Sequence, residues 1–275
     1  MVLGAGGGRG FAHLGVLERF EEEGIRIGSI VGCSVGGLVC AYYASLGYSV
    51  EDMIRIARSI HGGSLLNHAW SQWSRGSRQA GGGLAEKVLQ PLSGGAFRPL
   101  HRGIEAIGIT AFDLVRRREI LLTGKGEDAD VTLAEAAIGG SAIPVLFPSK
   151  RVRHGDRRYR LIDAGFLDAV PVEAALRPPF CLGKVVVVDL SLRLGIRQHR
   201  PGYWRSLRER LADRLVLLRP KVKRFGTVLF LRRDIDRILS AGREVVTAEI
   251  VNRLKPESQN RSPAPPPLDR RNPNP

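Results

Sequence analysis

Two side chains in this sequence have the type and setting for acyl-transfer chemistry: a serine at position 34 and an aspartate at position 163. Ser34 is the centre of Gly32-Cys33-Ser34-Val35-Gly36. Placed between a strand and a helix, a G-x-S-x-G turn throws its serine hydroxyl clear of the backbone, because glycines on either side relieve the crowding. Apolar residues 27–31 supply the strand, and 38–46 read as a buried helix that Gly47 can end. The helix starts just behind the serine, so its N-terminal dipole faces developing negative charge. Cys33 reads as a packing residue, since the elbow exposes its central position.

A nucleophilic alcohol gains little unless the tetrahedral oxyanion is stabilised, and one lost donor costs about 2.7–4 kcal/mol. The loop Gly4-Ala5-Gly6-Gly7-Gly8-Arg9-Gly10 follows a short strand and opens a helix. Successive amides at such a junction form an anion nest. A dinucleotide fingerprint would need glycine where Arg9 stands, and a Walker loop would need Lys-Ser/Thr after its last glycine. Both fail, which leaves an oxyanion or phosphate nest. The third element is Leu161-Ile162-Asp163-Ala164-Gly165, a carboxylate leaving a strand at 159–162. In an open parallel sheet the strand C-termini share one edge, which would put Asp163 within reach of Ser34. On its own the triplet fits a turn aspartate equally well. The histidines are His13, His61, His68, His101, His154 and His199. An α/β-hydrolase places several strands before its elbow, then Asp, then His. Here one strand precedes the elbow's own, and His199 after Asp189 is the imidazole alternative.

These residues need a frame. The 275 residues, 43% of them hydrophobic, suffice for one domain at 1–255, with a disordered tail rich in Pro, Asn, Ser and Arg at 256–275. Phe11, Leu14, Leu17 and Phe20 recur at helical spacing before Gly24, a C-terminal cap. Residues 62–83, around Trp70 and Trp73, read as a long loop serving as a lid or acyl-pocket wall. Residues 104–110 and 119–122 read as strands, and Thr132 with Glu135 forms a capping box for a helix through Ile138. A basic hairpin follows Pro148, turning at His154-Gly155-Asp156. A buried strand at 184–190 and helices at 203–218 and 235–254 complete the pattern. Strands alternating with helices imply an α/β fold, a mostly parallel central sheet with helices on both faces.

A formal net charge of +15 favours an anionic partner, a membrane surface carrying acidic lipids or nucleic acid, although an arginine-rich composition is an equally good source of the charge. Nucleic acid lacks any binding motif or aromatic–basic interleaving to support it. Membrane contact has two candidates. One is the hairpin with Lys150, Arg151, Arg153, Arg157, Arg158 and Arg160. The other is a helix setting Trp204, Leu207, Leu211, Leu215 and Leu218 against Arg205, Arg208, Arg210 and Arg214, whose apolar stripe is expected on the core. Cys33, Cys40 and Cys181 form no disulfide framework and have no metal-ligand spacing. Residues 27–50 lack charge, but their glycines and serines argue for strand, turn and helix over a membrane span. With no leader pattern after Met1, a cytoplasmic protein touching the membrane peripherally is expected.

Together, residues 5–10, 32–36 and 163–165 resemble the G-G-G-x-R-G loop, G-x-S-x-G elbow and D-G/A-G triplet of the patatin-like phospholipase family. The run Ser141-Ala142-Ile143-Pro144-Val145-Leu146-Phe147-Pro148 is similar to that family's segment before its catalytic aspartate. The resemblance spans residues 1 to about 189 and, more loosely, to 254. It implies a three-layer α/β/α fold, Ser34 as nucleophile and Asp163 as general base. It further implies an oxyanion hole at the Gly6, Gly7 and Gly8 amides, and Arg9 bracing the loop or meeting a phosphate. Gly10, Gly32, Gly36 and Gly165 complete the motifs, with no metal and no cofactor. The implied substrates are phospholipids, lysophospholipids or related acyl esters. An acyltransferase on the same dyad and a non-catalytic membrane- or anion-binding relative are the alternatives. The sequence departs from the family at Ala5, where a positive φ would be strained, and in a first strand of only two residues after Met1.

Overall fold

Runs rich in Val and Ile and too short for helices settle into strands, because branched side chains fit a pleated surface covered on both faces. The computed structural model describes residues 1–60, 62–75, 88–180, 183–190 and 195–255 and joins eight strands into one sheet. The chain begins with β1 (Val2–Leu3), α1 (Phe11–Glu22), β2 (Ser29–Cys33) and α2 (Val35–Cys40), which continues as a π-helical turn over Ala41–Ser45. Next come α3 (Val50–Arg58), α4 (Gly62–Arg75) and α5 (Gln90–Ser93), then β3 (Ala106–Asp113), β4 (Arg118–Leu122) and α6 (Leu133–Gly140). The hairpin β5 (Lys150–His154) and β6 (Arg157–Ile162) precedes α7 (Val172–Ala175), β7 (Val185–Val188) and α8 (Tyr203–Leu211). The last elements are β8 (Leu215–Leu218), α9 (Arg232–Glu244) and α10 (Ala248–Leu254).

The sheet runs β5-β6-β3-β2-β1-β7-β8, with β4 also on β3. Strands β3, β2, β1, β7 and β8 are mutually parallel, while β4 and β6 run antiparallel to β3. Alternate residues feed opposite faces. Leu3, Ile30, Val186 and Val188 join a core with α1, α3 and α9, whereas Val2, Val31, Val185 and Val187 pack with α7 and α8. That alternation makes the three-layer α/β/α arrangement expected from the sequence.

Four expectations change. Residues 62–75 form a helix rather than a loop; among its described side chains Leu65 and Ala69, four apart, pack inward amid polar residues that mask the periodicity. The side chain of Trp73 and residues 76–83 lie outside the described residues, as do Cys181 and the tail at 256–275. The helix expected over 203–218 ends at Leu211, and Leu215–Leu218 becomes β8, because pairing alongside β7 outweighs local helical spacing. Similarly, the helix expected over 235–254 is two, with Thr247 capping the second through the Ile250 amide. Finally, β6 runs antiparallel to its neighbour, so it is not a member of a common parallel edge.

Helix α9 crosses α1 backbone to backbone. A Cβ on Gly15 would stand 2.1 Å from the Leu239 carbonyl oxygen, and one on Gly242 would stand 2.1 Å from that of Ala12. Neither neighbour can yield, being main chain. Gly242→Ala should therefore lower the unfolding free energy by about 3 kcal/mol, as overpacking in a rigid site does. Urea denaturation of the purified variant checks this, and an unchanged midpoint would show that the two helices separate freely.

Candidate active site

Strand β3 has two edges, and three strands compete for them. β4 pairs with Ile109 through Asp113, so β2, on Ala106 through Thr110, and β6, on Phe112 and Asp113, must both lie on the other edge. They meet there head-on. Cys33 is opposite Thr110 and Ile162 is opposite Phe112, so the next residue of each strand, Ser34 or Asp163, arrives level with Ala111. The buried Asp113 carboxylate fastens this junction by accepting the Arg160 amide at 3.1 Å and pairing with Arg116 at 2.8 Å.

At the elbow Ser34 has φ 56° and ψ −127°, a strained region disfavoured for any residue with a Cβ. The turn closes tightly enough that a Cβ on Gly36 would lie 2.2 Å from the Leu3 carbonyl oxygen, and one on Gly32 would lie 2.3 Å from that of Gly36. Thus the motif glycines are required by backbone approach. The Gly37 and Leu38 amides both turn back to the Ser34 carbonyl, while those of Val35 and Gly36 at the helix start have no backbone acceptor among the described residues.

Asp163 is 5% exposed, as is Ser34. Its Oδ1 accepts the Gly165 amide at 2.7 Å and the Cys33 thiol at 3.8 Å, and the carboxylate interacts with the Ser34 hydroxyl. Burial raises the Asp163 pKa above its ordinary 3.8, opposed by the Ser34, Gly165 and Cys33 donors. Cys33 is itself fully buried, and burial pushes its thiol well up, which makes it a packing residue and donor.

Among the described residues no imidazole contacts either group. His199 is exposed, and His154 bonds Glu135. The buried His13 donates from Nε2 to the Gly4 carbonyl at 2.8 Å, and burial lowers its pKa to about 4. It is a neutral prop beneath the glycine loop.

The loop itself is held from three sides. Gly4 donates to Val188, Ala5 to Ala169 and Gly8 to Thr227, at 3.0, 2.7 and 2.7 Å. The Gly8 amide is therefore committed, which corrects its place among the oxyanion donors. The amides of Gly6 and Gly7 have no backbone acceptor among the described residues. Positive φ falls on Gly7, at 54°, and not on Ala5, so the strain expected at Ala5 does not arise. Arg9 braces the loop through Nε to the Phe225 carbonyl at 2.8 Å. Gly10 seats the Val35 side chain, and Gly165 lies beside Asp163.

Two contributions escaped the sequence reading. The Val35 amide was legible in the elbow motif itself. Gln198 was not: its side chain accepts the Ala169 amide at 3.0 Å and donates to Asp168 and the Val170 carbonyl. It thereby fixes the segment whose Ala169 carbonyl holds Ala5. Arg197 pairs with Asp168 and Glu119 on the same side, and burial raises the Glu119 pKa to about 7. A cleft lined by Met1, Ser29, Glu105, Phe180 and Lys184 opens elsewhere and does not include Ser34.

Against known proteins, the family model described as patatin-like phospholipase matches residues 1–176. An uncharacterized NTE family protein of Mycobacterium tuberculosis is 27% identical over 197 residues, covering 69% of this chain and 30% of that protein. A lysophospholipase NTE1 of Mycosarcoma maydis is 54% identical over 58 residues, 21% of this chain and 3% of its own length. The chain thus spans less than a third of each. The crystal structure of VipD from Legionella pneumophila aligns over 91% of this chain and 66% of its own, with TM-score 0.54 and 12% identity, a likeness of fold.

The raised Asp163 pKa has a consequence for stability. Above pH 3.8 the unfolded chain ionises this carboxyl more readily than the folded one, so ionisation favours unfolding, fully so once pH exceeds the folded value. Asp163→Asn keeps an oxygen for the Gly165 amide and removes that penalty. Its melting temperature should exceed the parent's at neutral pH, with the gain vanishing below pH 3.8. Thermal melts at both pH values decide it; a lower melting temperature at neutral pH contradicts the assigned burial cost.

Proposed function

Because the chain belongs to the patatin-like phospholipase family, we propose that it is a lipid acyl hydrolase working through an acyl-Ser34 intermediate. The observation that carries this reading is the head-on meeting of β2 and β6 on one edge of β3, which faces the Ser34 hydroxyl with the buried Asp163 carboxylate.

The Asp163 carboxylate accepts the Ser34 proton as Oγ attacks the ester carbonyl. The tetrahedral oxyanion is held by the amides of Gly6, Gly7 and Val35, two from the glycine loop and one following the nucleophile. Collapse breaks the ester C–O bond, Asp163 returns the proton to the departing alcohol, and the acyl group stays on Ser34. Water then loses a proton to Asp163 and attacks the acyl carbonyl; collapse breaks the acyl–Oγ bond, and Asp163 returns the proton to Ser34 Oγ as the fatty acid leaves. Burial makes the carboxylate a stronger base than one in water, and the strained elbow holds the hydroxyl in place without a further side chain. The names of the relatives support a phospholipid or lysophospholipid substrate.

Ser34→Ala and Asp163→Asn should each lower kcat by about a thousandfold or more, while His199→Ala leaves it unchanged. In the parent, kcat/KM should fall on acidification as Asp163 takes a proton, at a pH above the ordinary carboxylate value of 3.8. A fluorophosphonate probe should label the parent at Ser34, read by peptide mass spectrometry. Full turnover by either dyad variant, or its loss in His199→Ala, would falsify the assignment.

A further inference from the structure

Three segments linked through helix α4 run from the glycine loop to the strand end that carries Asp163, and each turns apolar side chains into solvent. Residues 225–231 pass over the glycine loop, where Phe230 packs edge-on against Phe11 at 5.4 Å and covers Gly8. With Phe230 turned inward, its neighbours Leu229 and Leu231 face outward, 71% and 53% exposed. Helix α4 joins this segment through the Gly62 amide and the Phe230 carbonyl at 3.0 Å. Its Leu66 and Trp70, one turn apart, are both exposed.

The third segment leaves the dyad itself. The Asp163 amide bonds the Ala142 carbonyl at 3.0 Å, and Phe147 returns to α4 with its ring 6.0 Å from His68. Between them Val145 is 94% exposed at φ 72°. A β-branched residue at positive φ is strained, so here the backbone is held in an unfavourable state that puts an apolar side chain in water.

Cations flank these segments along the chain. Lys221, Lys223 and Arg224 lead into residues 225–231, Arg232 and Arg233 follow Leu231, and Arg151 and Arg153 follow Phe147; all are exposed. The acidic residue nearest in sequence, Asp234, is engaged by the Leu231 amide. The earlier candidate on α8 fails this test, because its Leu207 and Leu211 are buried against the sheet.

We infer that the rim formed by Leu66, Trp70, Val145, Leu229 and Leu231 is the surface by which the protein seats its site on an anionic lipid bilayer. Apolar side chains enter the interface while the flanking cations meet the headgroups, the combination that holds amphipathic surfaces on acidic membranes. A second copy of the chain fits less well, since it would set two cationic flanks against each other. The inference deepens the proposed function by stating how the dyad reaches lipid, and it rests on that reading for this purpose alone.

The test is co-sedimentation with vesicles of phosphatidylcholine alone or of equimolar phosphatidylcholine and phosphatidylglycerol. The parent should bind the anionic vesicles, and added salt should weaken the binding. Trp70→Ser with Leu229→Ser should lower the partition coefficient about tenfold or more. Lys221→Gln with Lys223→Gln should lower it about fivefold for each charge, only on anionic vesicles. Both variants should retain the parent's circular dichroism spectrum and its turnover of a soluble short-chain ester. Parent-like partition of the Trp70/Leu229 variant, or indifference of the parent to phosphatidylglycerol, overturns the inference, as does size exclusion showing that the same variant dissociates a dimer. Rim-dependent binding without ester hydrolysis would instead defeat the hydrolase reading and leave the rim in place.

Discussion

A single edge of β3 shared by two strands running head-on is the constraint on which the site depends. β4 occupies the other edge at the level of Phe112 and Asp113, so β6 can enter only beyond the end of β2. The two chains then leave the sheet at the same place, travelling toward each other. This brings a hydroxyl and a carboxylate together from backbone register alone, with the side chains needing only ordinary reach. Asp113 fixes that register because a buried carboxylate must be paired, and its partners are the Arg160 and Val115 amides and Arg116.

Around this junction the structure concentrates unfavourable states that a purely structural core would avoid. Ser34 has a backbone conformation disfavoured for L-residues, Asp163 is buried with no cation beside it among the described residues, and His13 is held neutral by burial. What offsets them is dense backbone hydrogen bonding and two apolar layers. The Val- and Ile-rich strands supply the layers, and the glycine loop is tied to β7, to Ala169 and to Thr227. Rigid support of this kind suits a site whose donors must already point at the place where charge develops.

The part of the chain beyond the matched 1–176 is integral to this arrangement. β7 lies directly beside β1, and its Val188 carbonyl receives the Gly4 amide. α9 crosses α1 at the Gly15 and Gly242 contacts, and residues 225–230 supply Phe225, Thr227 and Phe230 to the glycine loop. The same segment carries Leu229 and Leu231 on its outer side, so one stretch both closes the loop and shapes the proposed membrane face.

Much of the site was legible in the sequence because its determinants are local. The close approach of Gly32 to Gly36, the capping box at Thr132 and the hairpin turn at Gly155 each follow from steric or hydrogen-bonding demands within a few residues. Those demands hold whatever the rest of the chain does. The alternation of Val2 with Leu3 and of Ile30 with Val31 likewise carries the two-faced sheet in its pattern. What needed the tertiary structure was direction and partnership between distant segments. The antiparallel entry of β6 is one case, since a strand's orientation depends on which edge is vacant. The conversion of 215–218 into β8 is another, because pairing with β7 outweighs helical spacing. The loss of the Gly8 amide to Thr227 and the clamp by Gln198 belong here too, because a hydrogen bond across 219 or 29 residues leaves no periodic trace in the chain. The sequence by itself determined which groups were available for chemistry; the fold decided which of them face each other, because only packing sets the relative position of segments far apart in the chain.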